Sequence, residues 1–197
     1  MLLNSFEKLM MNNPVRATIQ RRFEARRLLA MGGPLPGGRV LEVGCGRGVG
    51  TTILLDVFGA DSVDAFDFDR HMVGLAQRRH TPRPNVHLWQ GDAAAIAAPD
   101  GAYDAVFDFG IIHHIPEWRV ALREVHRVLR PGGRFYAEEV LDRFILHPLW
   151  RRLCDHPMED RFDQRGFERG LEACGLRVTA SWPLWGHFAF FIAEKPA

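Results

Sequence analysis

Apolar and polar positions alternate between two regimes along this chain. Short apolar runs at 40–43, 62–66, 86–90, 103–109 and 134–140 predict buried strands. Between them lie segments that predict helices, at 49–58, at 70–79 and from Pro116 onward. In the last of these Leu122, Val125, Val128 and Leu129 form a helical stripe. Pro82 and Pro84 end the second helix, and Pro131-Gly132-Gly133 ends the third. A further helix is predicted over 163–174, with Gly175 closing it. Strands at 176–181 and 187–193, joined through 182–186, complete the pattern as an antiparallel hairpin. Strands alternating with helices predict a doubly wound α/β fold, a parallel sheet with helices on both faces.

The first residues read differently. Asn13 is placed to cap a helix and Pro14 to open it. Val15, Ile19 and Phe23 follow at four-residue spacing, which puts them on one helical face. Residues 1–30 hold six basic side chains, Lys8, Arg16, Arg21, Arg22, Arg26 and Arg27, against Glu7 and Glu24. The expectation is a helix docked on its own domain with its arginines solvated, doubling as a lid. Contact with a membrane surface is the minor alternative. The breaker run Gly32-Gly33-Pro34-Leu35-Pro36-Gly37-Gly38 divides an N-terminal extension, 1–38, from the main domain, 39–197.

Composition narrows the class. A chain of 197 residues suits one domain, and its net charge of +1 argues against a dedicated nucleic-acid binder. Cys45, Cys154 and Cys174 form neither a C-x-x-C pair nor a metal cluster, so no metal is expected and free thiols are. Glu7 and Lys8 interrupt a very short apolar start, and no run approaches a membrane span, so the expected location is cytoplasmic.

The chemistry concentrates where the first predicted strand runs into Leu41-Glu42-Val43-Gly44-Cys45-Gly46-Arg47-Gly48. Glycines at alternate positions permit a tight bend and close approach of backbone to a ligand. Such a turn, after a parallel strand, is where open α/β sheets bind nucleotides. The dinucleotide fingerprint G-x-G-x-x-G fails here, because Val49 stands where its third glycine belongs. Cys45 reads as a small residue that fits the loop. Asp67 closes the second strand at the distance from Glu42 at which an acid can take both ribose hydroxyls. Asp64 falls too early for that, and Asp69 suits a helix cap.

Glu42, Gly44, Gly46, Gly48 and Gly50 together resemble the E-x-G-x-G-x-G loop of class I S-adenosylmethionine-dependent methyltransferases. The resemblance runs from about residue 39 to the end of the chain. It implies a seven-stranded sheet of order 3-2-1-4-5-7-6 with strand 7 antiparallel, and S-adenosylmethionine as cofactor. It implies that Glu42 acts from behind the loop, accepting from loop backbone and from a water near the methionine ammonium, with Gly44, Cys45, Gly46 and Gly48 around that moiety. Asp67 lines up with the ribose-binding acid, and Phe68 would rest against the adenine. In Gln90-Gly91-Asp92-Ala93, Asp92 would accept from the exocyclic amine and the Ala93 N–H would donate to the ring.

Asp108 and Phe109 open the stretch Phe107–Ile115, where cofactor and methyl acceptor should meet. Histidine titrates in the range that suits removal of an acceptor proton, so His113 is the preferred base and His114 its runner-up. Packing to fix the loop is the competing role for the pair. Of Glu138 and Glu139, one should face the substrate space and one the helix layer, since strand neighbours alternate. Phe144, His147, Trp150 and His156 fall where the acceptor pocket is expected.

Three functions compete on these residues. The first is methyl transfer to a small-molecule or lipid-like acceptor, by a monomer or homodimer that binds no nucleic acid. The second is a regulatory module that binds the cofactor without catalysis. The third, a nicotinamide-dependent oxidoreductase, is disfavoured by Val49.

Overall fold

Strands that are apolar on both faces require a helix layer on each side. The computed structural model describes residues 13–147 and 159–197 and has this arrangement. Its strands are β1 (Arg39–Val43), β2 (Ser62–Asp67), β3 (Val86–Gln90), β4 (Tyr103–Phe109), β5 (Leu129–Val140), β6 (Arg177–Leu184) and β7 (Phe188–Glu194). They form one sheet in the order β3-β2-β1-β4-β5-β7-β6. β1 to β5 pair in parallel, and β7 runs antiparallel to both its neighbours. The order implied by the family resemblance is therefore the one observed.

Around the sheet run α1 (Pro14–Ile19, Gln20–Glu24 and Ala25–Gly32, continuous), α2 (Val49–Ile53 and Leu54–Phe58), α3 (Arg70–His80), α4 (Trp118–Val128), the short α5 (Asp142–Ile145) and α6 (Gln164–Ala173). Strand alternation sorts the core into two layers. Leu41, Val106 and Phe135 meet Trp118 and Leu122 of α4 and Phe167 of α6. Val40, Phe107 and Tyr136 meet Leu28 of α1, Phe58 of α2 and Ala76 of α3. Each fully buried large side chain contributes roughly 1.5–3 kcal/mol. α4 and α6 approach closely at Gly170, where an added Cβ would lie 2.4 Å from Trp118 Cζ3.

Three expectations change. The stripe Val15, Ile19, Phe23 does not dock as a unit: Val15 and Ile19 are 68% and 46% exposed, while Phe23, 39% exposed, packs edge-on against Trp182 and Phe190 with ring centroids 6.2 Å apart. Across Gln20–Glu24 the helix widens to an i→i+5 turn, with the Ala25 N–H donating to the Gln20 carbonyl. That extra residue rotates the next turns, so Glu24, Ala25 and Leu28 face the sheet instead. Next, Pro131-Gly132-Gly133 does not separate helix from strand. Leu129 already pairs with Tyr103, the intervening residues loop out, and Arg134 resumes the ladder at Ala105. Finally, β6 extends to Leu184, so the hairpin turn is only Trp185-Gly186-His187, with Trp185 and Gly186 at φ 55° and 70°. Trp150, His156 and Cys154 lie outside the described residues. No described helix is long and apolar enough to cross a membrane.

Candidate functional site

A cavity of about 550 Å³ opens at the C-terminal ends of β1, β2 and β4, beside the loop that follows β3. Its floor is the glycine turn after β1, where Gly44, Gly46 and Gly48 have φ of 72°, 51° and 77°. These three positions differ in purpose. A Cβ on Gly44 would lie 2.4 Å from Ile111 Cγ1, and one on Gly48 would lie 2.8 Å from His80 Nε2. A Cβ on Gly46 would meet nothing within 4 Å. Gly44 and Gly48 are small because protein packs against them, whereas Gly46 borders open space. His80 braces the loop from α3, its Nε2 2.9 Å from the Gly48 carbonyl oxygen, and burial pushes its pKa down. The neutral ring then donates from Nε2.

Asp67 joins the turn to the end of β2. Its Oδ2 accepts from the Gly46 N–H at 2.8 Å and its Oδ1 from the Asp69 N–H at 2.8 Å. These bonds fix the orientation of the carboxylate. Asp69 caps α3 through the His71 N–H, as its position predicts. Phe68 is half exposed on the cavity wall, and the wall continues through Asp92 and Ala93. Asp92 Oδ1 accepts from the Ala94 N–H at 2.9 Å, which fixes that turn.

Glu42 is buried beneath the loop. It accepts from the Thr51 hydroxyl at 2.5 Å, a partner on α2 and not in the loop backbone as expected. Burial pushes its carboxyl up to about 8, opposed by the Thr51 hydrogen bond. A Cβ on Gly50 would lie 1.9 Å from Glu42 Oε1, which explains the glycine there. Cys45 is buried, and burial raises its thiol pKa far above the usual range, so no thiolate nucleophile forms. Among the described residues no cluster of three or more His, Cys, Asp or Glu could hold a metal ion.

The segment after β4 rearranges the expected roles. Phe109, Gly110, Ile111 and His114 line the cavity, whereas Asp108 and His113 do not. Asp108 is fully buried below the turn, its Oδ1 accepting from the Ile111 N–H at 2.8 Å. Burial, and then the adjacent Glu139 carboxylate, raise its pKa well above the usual range. It supports the turn and does not reach the cofactor space.

Ile112–His114 forms one turn of 3₁₀ helix, in which successive side chains point about 120° apart. That turn aims His113 inward, where its Nδ1 lies 2.7 Å from Glu139 Oε2. Glu139 also accepts from the Ile112 N–H at 2.9 Å and the His113 N–H at 3.2 Å. Burial raises Glu139 to about 7, with the Asp108 and backbone hydrogen bonds opposing it. His114 stacks obliquely on His113, ring centroids 4.2 Å apart, and faces the cavity. Of the two candidate bases, His114 lines the cavity and His113 does not. Glu138 and Glu139 do alternate, but neither lines the cavity: Glu139 holds the turn and Glu138 faces α1. Phe144 packs on Phe188 at 5.2 Å instead of lining the cavity.

The spacing did not show which α1 residues face the cavity. Asn13, Arg16 and Gln20 line the cavity, so the opening helix closes one side of it. Asn13 caps that helix through the Arg16 N–H at 2.8 Å, as predicted. Arg16 is not solvated. It bonds Glu24 and lies 3.8 Å from Glu138 Oε1, and the pull of these acids outweighs the burial that opposes its charge. Its eight-residue separation from Glu24 follows no regular helical pairing, so the sequence offered no signal.

Comparisons with known proteins agree on the class. Residues 40–133 match a methyltransferase domain family. A fatty-acid O-methyltransferase of Mycolicibacterium smegmatis is 36% identical over 145 residues, covering 70% of this chain and 52% of the relative. A 2-methyl-6-phytyl-1,4-hydroquinone methyltransferase of Synechocystis is 31% identical over 168 residues, covering 76% and 52%. The chain spans about half the length of these curated relatives. Among solved structures, a chain from the complex of the Haloferax volcanii Trm112 methyltransferase activator with its methyltransferase superposes with a TM-score of 0.79. That match has 18% identity and covers 100% of both chains.

Proposed function

The chain belongs to the class I S-adenosylmethionine-dependent methyltransferase family, and from that premise we propose that it methylates a small-molecule or lipid-like acceptor. The observation that carries this reading is the pairing of Asp67 with Gly46. A carboxylate oriented by the loop N–H stands beside a glycine whose missing Cβ leaves room for a ligand. Asp67 would take the ribose hydroxyls, Phe68 the adenine face, and Asp92 with the Ala93 N–H the adenine edge. Gly44, Cys45, Gly46 and Gly48 would border the methionine part, with Glu42 braced behind them by Thr51. When bound, S-adenosylmethionine supplies a methyl group on a good leaving group.

What remains for the protein is to position the acceptor, exclude water and receive a proton where one is lost. Phe109, Ile111 and the α1 wall exclude water. His114 stands where it can take a proton from an O–H acceptor, and His113 with Glu139 holds its turn in place. The fatty-acid and hydroquinone relatives support an apolar acceptor bearing either a carboxyl or a phenolic hydroxyl. The N-terminal extension serves, through residues 13–38, as the lid-side wall of the 39–197 domain, working in the cytoplasm as a monomer or homodimer without nucleic acid.

Calorimetric titration with S-adenosylhomocysteine and with NAD tests the reading. The expected result is micromolar-range binding of the first alone, abolished by Asp67→Ala. Binding of NAD, or wild-type affinity in Asp67→Ala, would overturn it.

A further inference from the structure

α1 brings to the cavity one cation whose donors its neighbours do not exhaust. Arg16 lines the cavity with 18% of its side chain exposed. Its Nη1 donates to Glu24. Its Nη2 is 3.8 Å from Glu138 Oε1, beyond hydrogen-bond range. A guanidinium carries five N–H donors in a planar fork, and among the described residues no other acceptor bonds them. Glu138 is buried beside Glu24, and burial with that neighbouring charge raises its carboxyl well above the usual range. The cavity wall after β4 is apolar at Ile111, Ile115 and Pro116, and its acid, Glu117, is exposed and solvated.

We propose that the methyl acceptor is an apolar molecule ending in a carboxylate, and that Arg16 receives that carboxylate. The inference rests on the methyl-transfer reading and adds the acceptor class. A carboxylate offers about four lone-pair sites, so a forked guanidinium can hold it and leave an oxygen pair free. An ordinary carboxylic acid, with a pKa of about 4–5, is already ionised at neutral pH. Its oxygen forms the new bond to the methyl carbon as the carbon–sulfur bond breaks, the electron pair leaving on sulfur. The products are a methyl ester and a thioether, and no proton moves. Methylation of a carboxylate thus asks for a cation and an apolar wall, and needs no base.

The test is binding to the full chain saturated with S-adenosylhomocysteine. The probes are dodecanoate, dodecanol and a dodecylphenol, each below its micelle concentration. Wild-type protein is expected to prefer dodecanoate. Arg16→Gln should weaken dodecanoate by about 10- to 100-fold, the range for hydrogen bonds to a charged group. Its affinity for S-adenosylhomocysteine and dodecanol should not change. Arg16→Lys, which keeps the charge without the fork, should fall between and guards against misfolding of the glutamine variant. Wild-type affinity for dodecanoate in Arg16→Gln would overturn the inference. So would a preference for dodecanol or the phenol, or failure of all three to bind. Absence of S-adenosylhomocysteine binding by wild-type protein would instead overturn the methyl-transfer reading beneath it.

Discussion

Gly46→Val separates the space a ligand needs from the space the fold needs. Gly46 has φ of 51°, so any L-residue there is strained, by about 1–2 kcal/mol and toward the upper end for a branched side chain. At the Cβ no steric term adds to this, because an added Cβ meets nothing within 4 Å. For a chain of this size each kcal/mol lowers Tm by about 2–4 °C, so the variant should remain folded at 25 °C. The valine side chain would nevertheless occupy the space beside Asp67, and S-adenosylhomocysteine affinity should fall at least ~100-fold, or ~2.7 kcal/mol.

Gly50→Ala makes the contrast. Its Cβ would sit 1.9 Å from Glu42 Oε1 and 2.9 Å from Phe109, forcing a buried carboxylate to move. Overpacking costs about 1–3 kcal/mol, and stranding the Thr51 hydroxyl or the carboxylate adds about 1–3 more. The better helix propensity of alanine returns only about 1. Gly50→Ala should therefore lose stability and affinity together, and Gly46→Val affinity far more than stability. Thermal melts paired with calorimetry read both. Wild-type affinity in Gly46→Val, or its collapse in the melt, would refute the assignment of open space above Gly46.

His114→Ala should lower turnover about 10²- to 10⁴-fold on a phenolic acceptor and much less on a carboxylate, because only the former loses a proton. His113→Ala should instead lower Tm, since it strips a 2.7 Å partner from buried Glu139; steady-state kinetics and melts on both variants check this division of roles. Glu42 titrates near 8 in the folded chain against about 4.5 unfolded. The unfolded state thus binds fewer protons at this site between those values, and ligand-free stability should fall as pH rises through the window. The slope from this group reaches at most about 1.4 kcal/mol per pH unit. Urea melts at pH 5.5, 7 and 8.5 should show Glu42→Gln losing less stability than wild type over the same span. Gly170→Ala drives a Cβ to 2.4 Å from Trp118 and should cost about 1–3 kcal/mol by urea melt, with S-adenosylhomocysteine affinity unchanged.

Much of the cofactor side was legible because it is local. Apolar runs ending in glycine or aspartate mark the C-terminal ends of β1 to β4, and Asp67 sits where that rule places it. The strand order was not local. It came from the family resemblance, since periodicity carries no information on which strands pair. The acceptor side depends on irregular geometry. One wide turn over Gln20–Glu24 rotated the second half of α1 relative to the first, breaking the register of the stripe and burying Glu24. One 3₁₀ turn sent His113 to Glu139 and left His114 on the wall. Neither irregularity leaves a trace in hydrophobic spacing. Arg16 was invisible for a third reason: its partner Glu138 is distant in sequence, so only the docked helix brings them together.

The most direct measurement is a crystal structure with S-adenosylhomocysteine. The account predicts the Asp67 carboxylate within hydrogen-bond distance of both ribose hydroxyls, the thioether chain running over Gly46, and His114, not His113, on the wall facing the sulfur. A nucleoside bound away from Asp67, or a loop that must refold to admit it, would contradict the account.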